Sequence, residues 1–579
     1  MNEWMNGRMM NDKHLLFAYS HIRTFTIRYS PLAIRLLPLV FLAVFFFYPL
    51  LAIFRLSLAP QGHLDLAAPA KLVSTTYYAR TLWFTTWQAT VSTLLTVILA
   101  MPGAYIFARY RFPGKSLLQA LTTVPFVMPT IVVAAAFNAL LGPRSHLNLA
   151  LMALFGLQRP PINLQHTIWI ILLAHVFYNY TVVLRIVGGF WANLNPRLEE
   201  AARLLGADSW RAFWQVTLPL LAPALVAAAL LVFIFCFTSF GVVLILGGPR
   251  FATLEVEIYR QTVHLFNLPL AATLSLAQIT LTLAMTSVYT RLQARTARPL
   301  QLRPQQTTQR WPTTWRDRAL VGGNVVFMVV LLLTPLLALA ERSLWTGRGY
   351  ALTNYSELFV NRRGSVFFVP PVEAVRNSLA FAALTVGLAV VLGVIGAYLL
   401  ADRKSRLSRW LDPIFMLPLG TSAVTLGFGY IIALDRPPLN LRTSPLLIPI
   451  AHTLVAFPFV VRTVLPVLRG IHPHLRESAS VLGASPARVW REIDLPIVSR
   501  ALLVGAVFAF TISMGEFGAT SLIARPQMPT MPIAIYRFLG QPGALNYGQA
   551  LAMSTLLMLV CAVGFLSIER FRYGEVGEF

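Results

Sequence analysis

Two cysteines in 579 residues are too few for a disulfide framework. Cys236 and Cys561 both fall inside apolar runs and read as buried small hydrophobes, with no metal site. Charge is scarce too: 12% of residues are charged, and 22 acids face 47 bases. The motifs of a membrane-embedded enzyme are missing, with no H-E-x-x-H, no G-x-S-x-G and no paired carboxylates inside an apolar run. Nor is there a nucleotide-binding loop, because Gly114-Lys115-Ser116 has Arg109 where a P-loop needs its first glycine. The net charge of +25 does not point to nucleic acid. Lys and Arg sit in loops between apolar runs, and no basic helix or aromatic-interleaved RNA motif occurs.

What is abundant is apolar surface. Hydrophobic residues make up 56% of the chain, and the mean hydropathy is +0.65. Several runs match the ~20 residues a helix needs to cross a ~30 Å hydrocarbon core. The expectation is an all-α polytopic membrane protein with twelve spans. In the first half these are 32–55, 84–108, 117–141, 166–190, 219–246 and 270–290. In the second they are 319–341, 376–401, 409–434, 445–468, 497–523 and 547–568. The domain reading follows: a tail 1–31, a first repeat 32–290, a linker 291–318, a second repeat 319–568 and a tail 569–579. The tail before the first span lacks the pattern of a cleaved secretory signal, so that span reads as retained. The linker is rich in Arg, Gln, Thr and Pro and reads as a solvated tether.

Slid along itself by 277 residues, the chain falls into register without a gap: 174–260 lies over 451–537, and about 26 of 87 positions are identical. The densest part is polar, EAARLLGADSWRAFWQVTLP at 200–219 against ESASVLGASPARVWREIDLP at 477–496. Farther upstream, Gly103-Ala104-Tyr105 matches Gly396-Ala397-Tyr398 and Pro125 matches Pro418, now at an offset of 293. The additional residues of the first half fall in loop 142–165. Two copies inserted the same way round give parallel repeats related by an axis along the membrane normal. Arg and Lys cluster in the N-terminal tail, the loops after the second spans, the linker and both polar repeats. The positive-inside rule places these regions, and both termini, in the cytoplasm.

Each polar segment, 196–219 and 473–496, reads as a short helix, a glycine turn (Gly206, Gly483) and a second short helix. Ser209 and Ser485 are the expected N-caps, and Pro219 and Pro496 open the next span. This is a helix–turn–helix joined to a transmembrane helix, so a partner gripping it can move the span behind. The pattern resembles the EAA loop of ATP-binding-cassette importer permeases. The resemblance implies two copies of a separate ABC ATPase subunit, which use ATP while this chain binds no cofactor, and an extracytoplasmic substrate-binding protein. It assigns coupling to Glu200, Ala202, Gly206, Leu218 and Pro219, and to Glu477, Ala479, Gly483, Leu495 and Pro496. The second copy departs from Glu-Ala-Ala in having Ser478. Segments 172–185, 244–261 and 515–540 resemble the fused permeases that import thiamine, with the iron(III) permeases a near branch. The implied setting is a bacterial cytoplasmic membrane.

Within spans, His175 and Arg185 align with His452 and Arg462. The arginines read as snorkelling and the histidines as hydrogen-bonded structural groups or path contacts. Glu516 is the acid that falls well inside a span, and Ser239 is its counterpart. It either faces a translocation cavity or caps backbone at a helix break near Gly515 and Gly518. A secondary transporter of six plus six spans is the rival reading, disfavoured by the two polar loops.

Overall fold

The computed structural model describes residues 32–296, 309–360, 369–402, 405–435, 437 and 439–573. The N-terminal tail, linker residues 297–308 and the end of the C-terminal tail lie outside the described residues. Among those described, ten helices are long and apolar enough to cross a membrane, and two sharply bent helix pairs bring the number to twelve.

In the first half, α1 runs from Leu32 to Leu58 through a π turn at Ala43–Phe47. Then come α2 (Thr76–Arg109), α3 (Lys115–Val127), α4 (Thr130–Leu141), α5 (Ile168–Ala192), α6 (Arg197–Leu204), α7 (Leu218–Phe237), α8 (Leu254–Val263) and α9 (Leu268–Thr296). The second half repeats the order as α10 (Trp315–Leu344), α11 (Pro371–Ala401), α12 (Arg406–Met416), α13 (Ala423–Ala433), α14 (Leu447–Gly470), α15 (Pro473–Val481), α16 (Leu495–Gly515), α17 (Met531–Leu539) and α18 (Ala544–Tyr573).

Two expected spans are not continuous. The third span of each half is broken, by 105° between α3 and the helices after it and by 96° between α12 and α13. Proline is the cause in the first half: Met128 precedes Pro129 and is forced extended, at ψ 138. In the second, Ser422 caps the restarted helix, its Oγ accepting from Val424 N and Thr425 N at 3.1 and 3.4 Å. The fifth spans also stop early. α7 ends at Phe237 and α16 at Gly515, leaving non-helical backbone at 238–240 and 516–519. At membrane depth such backbone is tolerated only where protein or a cavity satisfies it. Here the side chains do so: Tyr178 donates to Met128 O at 3.0 Å, and Thr253 to Ser239 O at 3.3 Å.

The second, fourth and fifth spans form the core of each half: α2, α5 and α7, and α11, α14 and α16. Small residues allow the close approach, since a Cβ on Gly188 would lie 3.4 Å from the Ala104 backbone. The first helix of each half crosses over. α1 packs on α9, α11 and α13, and α10 packs on α2, α4 and α18. The two halves therefore interleave.

The linker differs from a free tether over its described end. Residue Arg310 forms a β-bridge with Tyr110, donating from its N–H to Arg109 O at 2.9 Å while Arg111 N donates to Arg310 O at 2.8 Å. Tyr110 Oη donates to Asp317 at 2.6 Å, and Arg310 donates to Tyr110 Oη at 2.9 Å. Burial and the carboxylate that accepts its proton push the Tyr110 hydroxyl up to about 12. Arg310 and Asp317 were legible as linker charges, but their docking partner is some 200 residues away.

Candidate functional site

The two polar repeats fold alike. α6 ends with Ala207 N donating to Ala202 O (3.1 Å) and Gly206 N to Arg203 O (3.0 Å), the paired bonds of a Schellman stop. The same pair, Ala484 N to Ala479 O and Gly483 N to Ser480 O, is 3.0 Å in both cases. Gly206 and Gly483 sit at φ +94 and +82, where L side chains are strained. An added Cβ meets nothing within 4 Å at either, so backbone conformation, and not crowding, demands glycine. The first-copy cap is one residue earlier than expected: Asp208, not Ser209, accepts from Arg211 N at 2.8 Å. Ser485 takes that role in the second copy, accepting from Arg488 N at 3.4 Å.

The second helix of each element is not separate from its span. Ser209–Phe237 and Pro486–Gly515 are continuous, passing through five-residue π turns at Phe213–Thr217 and Trp490–Asp494. Leu218 N and Leu495 N donate five residues back, to Phe213 O and Trp490 O. Pro219 and Pro496 have no N–H to give, and the widened turn accommodates them. A lever made this way has no joint between its foot and its transmembrane shaft. Glu200 is exposed, and Glu477 is half-buried beside His474 at 3.0 Å. The tips are apolar and open: Leu204 and Leu205 are 89% and 90% exposed, Val481 and Leu482 82% and 87%. Matched apolar tips beside acidic residues have the character of a covered contact surface.

At the four helix breaks lies a cavity of about 460 Å³, lined from both halves. His175, Ser239 and Glu516 line it; His452 does not. Each histidine fastens its span to the break beyond the fifth span. His175 is bonded through Nδ1 to Ser92 Oγ and through Nε2 to Ser239 Oγ, both 2.9 Å. His452 reaches Ser513 Oγ and Thr520 Oγ1, both 2.8 Å, and lies 3.4 Å from Glu516. Glu516 accepts from Ala519 N at 2.8 Å, from Thr520 N at 3.0 Å and from the Thr520 hydroxyl. It caps the break and faces the cavity at once.

Phe240 and Phe517 occupy equivalent positions in the repeats, and they stack on each other with centroids 5.6 Å apart. Tyr259 and Tyr536, also equivalent, flank them at 5.4 Å each. The two phenylalanines thus meet across the pseudo-twofold axis as part of the cavity wall, with a tyrosine packed behind each. Arg185 and Arg462 do more than snorkel. Arg185 donates to Thr123 Oγ1 at 2.6 Å and Arg462 pairs with Asp412 at 3.3 Å, so each ties the fourth span to the first piece of the broken third.

Sequence reasoning missed Glu255, which is fully buried. It accepts from Ser422 Oγ at 2.5 Å and Gln278 Nε2 at 3.0 Å, joining the halves just behind the cavity wall. It stands between spans in the sequence, where an acid attracts no notice. Among the described residues no group of three His, Cys, Asp or Glu could hold a metal.

Residues 97–298 and 389–572 each match the family described as the binding-protein-dependent transport system inner membrane component. The chain is 28% identical over 506 residues to the thiamine transport system permease protein ThiP of Escherichia coli K12, covering 84% of this chain and 88% of that one. It is 26% identical over 559 residues to a probable ABC transporter permease protein, y4fN, of Sinorhizobium fredii, covering 92% and 95%. The putative 2-aminoethylphosphonate transport system permease PhnU of Salmonella paratyphi A is 29% identical over 267 residues, 92% of its own length but 46% of this chain. A single-unit relative thus spans about half of a chain that ThiP and y4fN accompany nearly end to end. With two matched units, interleaved helices and two jointless levers, the chain belongs to the inner-membrane permeases of binding-protein-dependent transport systems, in their fused two-copy form.

Proposed function

We propose that this chain is the whole translocation pathway of an ABC importer for thiamine or its phosphates. The observation that carries the reading is the pair of levers, each an exposed apolar tip joined by one glycine turn to a helix that runs without a break into a span ending at the cavity. One ATPase subunit docks on each tip, making two per chain, and a binding protein delivers cargo at the opposite end. The lever end is cytoplasmic, by the positive-inside rule. The likeness to ThiP over most of the chain supports thiamine as cargo.

The stacked Phe240 and Phe517, backed by Tyr259 and Tyr536, act as the gate between binding protein and cavity. Glu516 sets a negative charge on the cavity wall, where low polarity strengthens its attraction for a passing cation. Ser239 and the two histidines hold the breaks that shape that wall.

The test is reconstitution of the chain with its ATPase and binding protein in proteoliposomes. ATP-dependent thiamine uptake with two ATPases per chain is expected. A stoichiometry of one, or uptake that survives without ATP, overturns the ABC assignment. Uptake of ferric ion in place of thiamine overturns the cargo alone.

A further inference from the structure

The levers are alike in backbone and unlike in how they are fastened. In the second half, Arg476 Nε on α15 donates to Asp494 Oδ1 at 2.7 Å, and Tyr398 Oη on α11 donates to Asp494 Oδ2 at 3.1 Å. The Asp494 side chain is 0% exposed and that of Arg476 28%. The equivalent positions in the first half hold Glu199, Thr217 and Tyr105, which cannot reproduce the charged joint. There the lever is packed by aromatic rings instead: Phe213 lies 6.2 Å from Trp191, 6.4 Å from Trp210 and 5.9 Å from Trp214.

From this joint α11 runs unbroken to Thr385, about 20 Å along the axis at ~1.5 Å per residue. Thr385 accepts from Ser513 Oγ at 3.3 Å, Ser513 bonds His452, and His452 abuts Glu516 at the cavity. One helix therefore has its foot bound to a lever and its middle linked through Ser513 and His452 to the cavity acid. The first half has the same upper connection, Ser92 to His175 to Ser239, but its lower one is ring packing without charge, Tyr105 on α2 lying 5.2 Å from Trp191 and Trp191 6.2 Å from Phe213.

We infer that Asp494 is a positioning residue for coupling: it locks the second lever to α11, so that displacement by the ATPase reaches the Glu516 wall through the second half, while the first lever meets α2 only through ring packing. This rests on the docking proposed above. A buried charge held by two donors is directional and does not slide, unlike ring packing.

The experiment uses the full complex in proteoliposomes and reads ATP hydrolysed per thiamine moved. Asp494→Asn removes the charge in nearly the same shape; Arg476→Gln removes the same bond from the half-exposed partner, and decides the matter if the first variant fails to assemble. Both should keep the ATPase bound yet raise the ratio on the order of tenfold, within the usual range of coupling free energies. Arg476→Lys should recover most of it. Arg376→Gln, which breaks an exposed pair with Glu373 at the other end of α11, should leave the ratio as in wild type. Assembled Asp494→Asn and Arg476→Gln complexes with a wild-type ratio overturn the inference. If the wild-type complex moves no thiamine, the cargo assignment fails, and the joint is read from binding-protein stimulation of ATP hydrolysis: flattened stimulation in both variants supports it, and wild-type stimulation overturns it.

Discussion

Position for position, the two halves share their backbone and divide their chemistry. The first half fastens its lever by packing Phe213 on Trp191 and Trp191 on Tyr105, and meets the cavity with a serine. The second fastens its lever with Asp494, Arg476 and Tyr398 and meets the cavity with a carboxylate. Aromatic packing is broad and tolerant of small shifts, whereas removing one partner of a buried ion pair costs about 3–5 kcal/mol because the other charge is stranded. A repeat fold can thus keep its geometry while placing its electrostatics on one side.

The harshest way to break the comparison is at the glycine turns. Gly206→Val and Gly483→Val each force a β-branched residue to positive φ, and each should weaken ATPase retention on affinity purification. Transport should fall further with Gly483→Val, on the order of tenfold below Gly206→Val, if the second lever is the one locked to the cavity. Equal losses would argue that the levers are interchangeable.

A smaller effect is expected at the cavity. Glu516→Gln loses the charge but keeps one acceptor oxygen, which can still serve Thr520, and should lower maximal thiamine uptake several-fold, while Ser239→Ala changes it by less than about twofold. Glu516→Leu removes the cap as well and should destabilise the complex by about 1–3 kcal/mol, measured as a lowered melting temperature in detergent. Unchanged uptake for Gln, with the Leu variant destabilised, would reduce Glu516 to a cap.

The smallest contrast concerns the bond between halves. Ser422→Ala strands a buried carboxyl and should cost about 1–3 kcal/mol in thermal unfolding, whereas Glu255→Gln should cost less than about 1 kcal/mol because its amide still bonds Ser422. The counterparts of these residues are Pro532 and Pro129, so no second bond of this kind compensates. A Ser422→Ala protein as stable as wild type would show the link to be idle.

The repeat, the apolar spans and the lever turns were legible because their causes are local or strictly periodic. Gly206 and Gly483 recur at one spacing, and a chain that must turn there has few residues to choose from. Of the helix breaks, only the one near Gly515 and Gly518 was legible, as one of two readings of Glu516. A hydropathy window averages across Met128–Pro129 or Glu516–Phe517, since both flanks are equally oily. Pro125, Pro129 and Pro418 were visible, yet prolines also persist inside intact spans here, as Pro102, Pro335 and Pro458 do. Ser209 was taken for the cap because serine is favoured there, when the aligned position of Ser485 is Asp208. Glu255, Asp494 and the docked Arg310 depend on partners far along the chain, which spacing alone does not reveal.

The β-bridge of Arg310 with Tyr110 has a consequence for assembly kinetics. The covalent linker makes the halves meet as a first-order event at an effective concentration in the ~mM range, and the bridge shortens its free length by seating it on the first half just before α10 begins. Dilution, or scarce synthesis in a crowded bilayer, cannot leave half a pathway unpaired, and no unmatched pair of like halves can form in its place.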